Sequence, residues 1–113
     1  MNIAEELESM GRSERRALAN RLAVLLMHLL KWRYQPALRG KSWQATIKEQ
    51  RRQVMKLLQD SPSLKPNLPV ILADVYEDAL LMAVAETHLD ESTFPSTCPF
   101  SLEQVLDQDY WPD

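Results

Sequence analysis

The sequence predicts an all-α protein, built as a three-helix antiparallel bundle with a Pro-rich C-terminal tail that holds one short helix. Apolar residues recur at helical spacing over most of the first ninety positions. Only two glycines occur in 113 residues, too few for a fold made of tight hairpin turns. Six of the seven prolines follow residue 60 and break the later part of the chain. We expect a single domain over residues 1–113, with the bundle in 1–93 and an ordered tail, 94–113, packed on it.

The first helix is predicted to begin near Ile3 and to end before Pro36 and Gly40. Its apolar stripe keeps its phase across Gly11, which favours one long helix, although a glycine costs about 1 kcal/mol in a helix interior and a break there is the alternative. The stripe consists of Ile3, Leu7, Met10, Leu18, Leu22, Leu25, Leu29 and Trp32. From Leu22 to Leu30 nearly every residue is apolar, so we expect neighbours on several sides of this segment.

The second and third helices are predicted on either side of a proline-rich break. The second should span Trp43 to Leu58, with Ser42 as its N-cap. Asn67 is a suitable N-cap for the third, because Pro69 then falls in the first turn, where its missing N–H does no harm. The third helix should end near Thr87.

The tail is predicted to contain a short helix that begins after Ser101. Gln104 follows Ser101 by three positions, and this spacing is typical of a capping box, in which each residue bonds to the backbone of the other.

Several classes of protein are poorly supported by the sequence. Cys98 is the one cysteine, so no disulfide can form within the chain and a cytoplasmic location is expected. The longest apolar run is far too short to cross a membrane, so we expect no membrane partner. His28 and His88 have no ligand-type residue at a metal-binding spacing, and no glycine-rich loop is present to hold phosphate. We therefore expect neither a metal nor a cofactor.

Charge is distributed unevenly along the chain, although the net charge is only −3. Residues 12–56 carry twelve Lys or Arg against two acidic residues, whereas residues 57–113 carry eleven acidic residues against Lys65. We expect these two parts to pair with each other inside the fold; the alternative is that one of them faces an outside partner.

Ionisable residues also fall on the apolar stripes of all three long helices. Because an unpaired buried charge is very costly, we expect them to meet in one polar cluster. Its members are Glu14, Arg21, His28, Arg51 and Glu86. The cluster can fix the register of the helices, or it can be an enzyme site, with His28 or Glu86 as a base and Arg51 as an anion holder. No residue is assigned as catalytic.

A basic face is predicted on the first loop and the second helix. It consists of Lys31, Arg33, Arg39, Lys41, Lys48, Arg52 and Lys56. Trp32, Tyr34 and Trp43 lie between them, and cations beside aromatic rings are what phosphate contact and base stacking require. Nucleic acid is therefore the main alternative to a protein partner, although both tryptophans also fit the core stripes.

Five blocks of this sequence resemble a bacterial family, the domain of unknown function 29 family. They are EELESMGRSERR, VLLMHLLKWRYQP, SWQATIKEQRR, LLQDSPSL and TFPSTCPFSLEQ, and together they cover nearly the whole chain. The resemblance implies a small helical bacterial protein. It implies no activity, cofactor or catalytic residue.

The resemblance also has departures with a functional implication. Members of the family usually begin with an additional amphipathic segment ahead of the position of Asn2, and at Pro69 a helix-forming residue is expected. If the chain starts at Met1, the groove that this segment covers is open, and another copy or another protein should fill it. We therefore predict a non-catalytic protein-interaction or self-association module, with a homo-oligomer or a different protein as partner. The alternatives are a nucleic-acid-binding module and an enzyme.

Overall fold

The computed structural model describes the backbone of residues 3–113 and the side chains of residues 11–113. Four α-helices follow one another in residues 3–113, and 3-10 turns lie in the segments between them. The helices are α1 (Ile3–Tyr34), α2 (Lys41–Asp60), α3 (Leu68–Thr87) and α4 (Leu102–Leu106). The 3-10 turns are Pro36–Leu38, Pro62–Asn67 and Glu91–Thr93. No strand occurs in residues 3–113, so the all-α prediction is confirmed.

Helix α1 is the central element and packs against both α2 and α3. It runs without a break through Gly11, as the continuous apolar stripe predicts. Leu18, Leu22 and Leu25 are fully buried, and so are residues on the other sides of the helix, such as Leu26 and Leu30. This all-round burial explains why the segment is apolar on every face. The predicted inward positions Ile3, Leu7 and Met10 lie outside the described side chains.

Helix α2 begins two residues earlier than predicted, and Ser42 is not its N-cap. Gly40 takes the cap position with an extended backbone, and its carbonyl accepts a hydrogen bond from the amide of Gln44 at 3.0 Å. Ser42 is therefore in the first turn, where its carbonyl accepts from the Thr46 hydroxyl at 3.0 Å. A side-chain cap contributes only about 1 kcal/mol, so tertiary packing can move the start of a helix past it.

Helix α3 has the predicted bounds but not the predicted cap bond. Asn67 precedes the helix and Pro69 lies in its first turn, yet the Asn67 side chain makes no cap hydrogen bond. The reason is that Asn67 also ends a 3-10 turn and keeps helical backbone angles, so its side chain is not aimed at the free amides. The helix ends at Thr87, and His88 follows in the left-handed conformation with φ of 60°.

The tail contributes to the same core as the bundle. Phe94, Phe100 and Val105 are buried among side chains of the long helices. Ser101 and Gln104 form the predicted capping box, with the Gln104 amide donating to the Ser101 hydroxyl at 3.1 Å and the Ser101 amide donating to the Gln104 side chain at 3.0 Å. The short helix α4 lies beside α2.

Candidate functional site

Arg51 is a fully buried arginine that attaches the tail to α2. Its Nε donates to the carbonyl of Val105 at 2.8 Å, and its Nη2 donates to the carbonyl of Gln104 at 3.0 Å. The guanidinium also lies 5.7 Å from the centroid of the Trp111 ring. The last carbonyls of a helix lack partners inside the helix and carry partial negative charge, so a cation is a favourable partner for the end of α4.

The expectation that Arg51 pairs with a carboxylate of the long helices is wrong. Neither Glu14 nor Glu86 contacts it, and its Nη1 has no hydrogen-bond partner among the residues that the structure describes. Burial lowers the pKa of Arg51, and the charge of Asp107 opposes this change. Main-chain carbonyls replace the carboxylate because α4 ends beside Arg51.

The other members of the predicted cluster are held at separate places along α1. Glu14 is half-buried and accepts a hydrogen bond from the hydroxyl of Ser61, at the end of α2. Arg21 is exposed, and its Nη1 lies 3.5 Å from the side-chain oxygen of Gln50. Neither side chain reaches Arg51, so the five inward charges do not form one cluster.

His28 and Glu86 both lie near Lys31. The Lys31 ammonium is 2.9 Å from a Glu86 carboxylate oxygen and 4.8 Å from the centroid of the Trp43 ring. His28 is bound to its own helix, with Nδ1 2.9 Å from the carbonyl of Val24. Burial lowers the pKa of His28, the contact with Val24 opposes this, and the charge of Lys31 adds to the lowering. The predicted anion holder, Arg51, has its partners in the tail rather than here.

The aromatic residues of the predicted basic face are mostly used in packing. Trp32 is buried and lies 4.7 Å, between ring centroids, from Trp111. Arg39 covers the Trp32 ring and donates to its carbonyl at 2.6 Å. Tyr34 packs edge-on against Phe94 with centroids 5.1 Å apart. These rings are therefore not free to stack on nucleic-acid bases.

Four cations of the predicted basic face remain in a row on α2, which we call the cationic row. They are Lys41, Lys48, Arg52 and Lys56, all of which are exposed. The row extends for about 22 Å at 1.5 Å per residue. In residues 11–113, Glu49 is the one carboxylate within ion-pair distance of these cations, at 3.8 Å from Arg52.

A second charged surface, on α3, was not predicted from the sequence. Its carboxylates, Asp74, Glu77 and Asp78, are exposed and have no ion-pair partner in the described part of the chain. Two exposed apolar residues lie near its ends, Val70 with 56% and Leu81 with 50% of its surface accessible. We call these five residues the acidic row. The sequence did carry a signal for this surface: α3 has more apolar residues than one buried stripe can use, so some of them must be exposed.

The prediction that the basic and acidic parts of the chain pair inside the fold is wrong in its main point. Among described side chains, Lys31–Glu86 is the one ion pair that joins residues 12–56 to residues 57–113. The physical reason is the position of α1. Because α2 and α3 pack mainly on α1 rather than on each other, their exposed charged sides face solvent.

A cleft of about 460 Å³ lies between α3 and the start of the tail. Its lining includes Tyr76, Glu77, Glu91 and Cys98. The Tyr76 hydroxyl donates to the carbonyl of Pro95 at 2.6 Å, and burial raises the pKa of Tyr76 to about 12. Burial also raises the pKa of the Cys98 thiol, so the cleft stabilises the protonated form rather than a nucleophilic thiolate.

No group of three metal-ligating side chains is close enough to hold a metal ion within the described residues. None of the helices in residues 3–113 combines the length and the hydropathy that a membrane crossing requires.

Comparison with known proteins identifies a family and no individual relative. The model of the family described as "Domain of unknown function DUF29" matches residues 1–111, so the chain belongs to this family. No curated protein and no solved structure matches the chain.

Proposed function

We propose that this member of the DUF29 family is a protein-interaction module without catalytic activity of its own. Its binding surface is the cationic row on α2, and its partner is a helix that presents carboxylates. The observation that carries the proposal is that four exposed cations lie along one side of α2 with a single carboxylate, Glu49, in reach among the described residues.

The cationic row has the geometry of a helix-binding surface. A partner helix has the same rise of about 1.5 Å per residue, so carboxylates three, four and seven positions apart can follow the row over several turns. Met55, which is 40% exposed, lies beside Arg52 and Lys56 and offers an apolar contact. The charges provide orientation and rapid association, and the apolar contact adds affinity as it loses water.

The titratable groups with perturbed pKa values support a role without catalysis. The pKa departs from its ordinary value at His28, Arg51, Tyr76 and Cys98. The polar atoms of all four side chains are within hydrogen-bond distance of a main-chain carbonyl of this chain. They are spread over α1, α2, α3 and the tail, and only Tyr76 and Cys98 share a cleft. Acid–base catalysis requires such groups to converge on one substrate position, and here each supports local structure.

Nucleic acid is the second candidate, and it is favoured by the cationic row having Glu49 as its one ion-pair partner among the described residues. Duplex phosphates could contact the same four cations. Base stacking is not available in this form, because Trp32 and Tyr34 pack inside the protein and Trp43 is partly covered by Lys31. The binding would therefore depend on phosphate alone and would not distinguish one sequence from another.

A fluorescence-anisotropy titration separates the two candidates. One probe is a labelled helical peptide with glutamates at positions i, i+3, i+4 and i+7, and the other is a labelled DNA duplex of mixed sequence. Both are titrated at about 50 mM and about 300 mM salt, because screening weakens exposed charge pairs over this range. We expect saturable peptide binding that exceeds duplex binding. Duplex binding that falls steeply with salt, together with no peptide binding, would instead establish phosphate recognition.

The variant Lys48→Glu/Arg52→Glu locates the binding surface. It should reduce the affinity for the peptide at least about tenfold, which corresponds to 1.4 kcal/mol. The matched control is Arg12→Glu/Lys65→Glu, which changes the net charge equally at exposed positions outside α2. Equal losses in both variants would show that binding follows total charge and not the cationic row.

A further inference from the structure

We propose that the acidic helix bound by the cationic row is α3 of a second copy of this chain. The proposal rests on the function proposed above and names its partner. The acidic row of one copy, on α3, would lie against the cationic row of the next copy, on α2. Both rows are exposed, carry opposite charge, and have few ion-pair partners of their own in the described part of the chain.

The charged residues of the two rows match in an antiparallel register. When Arg52 is placed opposite Asp74, Lys48 comes opposite Glu77 and Asp78. The match arises because Lys48 precedes Arg52 by four positions, while Glu77 and Asp78 follow Asp74 by three and four. Each cation then meets a carboxylate one helical turn, about 5.4 Å, from the next pair.

The apolar residues fall into place in the same register. Lys56 comes opposite Val70, with Met55 one position away, and Ala45 comes opposite Leu81. Met55, Val70 and Leu81 are large apolar side chains with 40%, 56% and 50% of their surface accessible. Ala45 is exposed too, and its small side chain leaves space for the leucine. The register that pairs the charges therefore also covers exposed apolar surface, on both sides of the ion pairs, which a phosphate backbone could not do.

The position of the two rows determines how the copies associate. The contact joins α2 of one copy to α3 of the next, and two-fold symmetry allows the reciprocal contact to form in the same dimer. A head-to-tail contact instead leaves one row of each copy free. The mass therefore reaches that of about two chains in a closed dimer and rises further with concentration in head-to-tail association.

Two charge-reversed variants test this arrangement. The first is Lys48→Glu/Arg52→Glu, which reverses the two central charges of the cationic row. The second is Asp74→Lys/Glu77→Lys, which reverses two of the three carboxylates of the acidic row. Mass is measured by sedimentation equilibrium at low salt up to about 100 µM, the range in which weak exposed interfaces associate. The natural chain should show a weight-average mass that rises with concentration to at least about twice 13.1 kDa.

Each variant alone should remain at the mass of one chain, and an equimolar mixture should recover the association. In the mixture, reversed α2 meets reversed α3, and the remaining natural pair also forms. Circular dichroism establishes that each variant is folded. Two milder variants, Lys48→Gln/Arg52→Gln and Asp74→Asn/Glu77→Gln, remove the charges without reversing them and should also stay monomeric. The control is Arg12→Glu/Lys65→Glu, and the association of this variant should match that of the natural chain.

The outcomes distinguish this inference from the proposed function. A natural chain that is monomeric at every concentration, and a mixture that does not associate, would overturn self-association. If the acidic peptide still binds the cationic row in that case, the interaction module stands and its partner is a different protein. Association that survives both reversals would also overturn the inference, because it would place the contact elsewhere on the surface.

Discussion

The substitution Arg51→Met should weaken the attachment of the tail by a measurable amount. It removes two hydrogen bonds from a charged donor, at 2.8 Å and 3.0 Å, each contributing about 1.5–3 kcal/mol. It also leaves the carbonyls of Gln104 and Val105 without this donor. Against this, methionine does not carry the desolvation cost of a buried charge, which amounts to several kcal/mol. We expect a net loss of about 2–4 kcal/mol in the free energy of unfolding.

Urea denaturation at neutral pH measures this loss, followed by far-UV circular dichroism and by tryptophan fluorescence. The fluorescence comes from three tryptophans, one of which, Trp111, lies beside the Arg51 guanidinium. Hydrogen exchange adds a local readout, because the amide of Val105 donates to the carbonyl of Ser101 inside α4 and should lose protection first.

The neighbouring substitution Arg52→Met is the control. Arg52 is exposed and makes only a long ion pair with Glu49, so its loss should change the free energy of unfolding by less than about 0.5 kcal/mol. If Arg51→Met has an effect as small as this, other donors satisfy the two carbonyls and Arg51 does not hold the tail. A loss that leaves Val105 protected would place the damage in the bundle and refute the same reasoning.

Three further predictions concern single residues. Burial lowers the pKa of His28 below 6.5, so the unfolded chain binds more protons, and the free energy of unfolding should fall as the pH drops below that value. His28→Leu removes this contribution, and denaturation at pH 7.5 and at pH 5.5 should show a weaker pH dependence than in the natural chain. Ser101→Ala removes the cap of α4 and should cost about 1 kcal/mol, with faster exchange of the Gln104 amide; unchanged exchange would contradict the cap. His88→Gly relieves the left-handed backbone after α3 and should raise the free energy of unfolding by about 1 kcal/mol in thermal melts, whereas a decrease would show that the imidazole itself contributes.

The helices could be predicted from the sequence because their signals are local. The apolar spacing through Leu18 and Leu29 requires one core-facing stripe, and the pair Ser101 and Gln104 requires only four consecutive residues to form its cap. The start of α2 was misplaced because a good capping residue, Ser42, contributes less free energy than the packing of the helix. Local signals predict that an element exists better than they predict where it begins.

The candidate site could be predicted only in part. The sequence shows that Arg51 faces inward, since it lies between Ile47 and Val54, but its partners are main-chain carbonyls that carry no residue-specific signal. The cationic row was contained in the predicted basic face, whereas Lys31 and Arg39 proved to be held by their own chain. The exposed cations can be told from those bound by the chain itself only when it is known which side chains pack against other elements, and that depends on the tertiary structure.

The attachment of Arg51 to the tail also constrains the order in which the parts of the protein can fold. Arg51 and its acceptor Val105 are 54 positions apart, and Arg51 lies on a helix that is synthesised well before α4. On the ribosome, α1 and α2 can pair while the end of α4 has not yet been made, and during that interval the guanidinium must stay hydrated. Closing so long a loop is slow compared with forming a helix. The burial of Arg51 against α4, with the loss of its bound water, should therefore be the last step of folding.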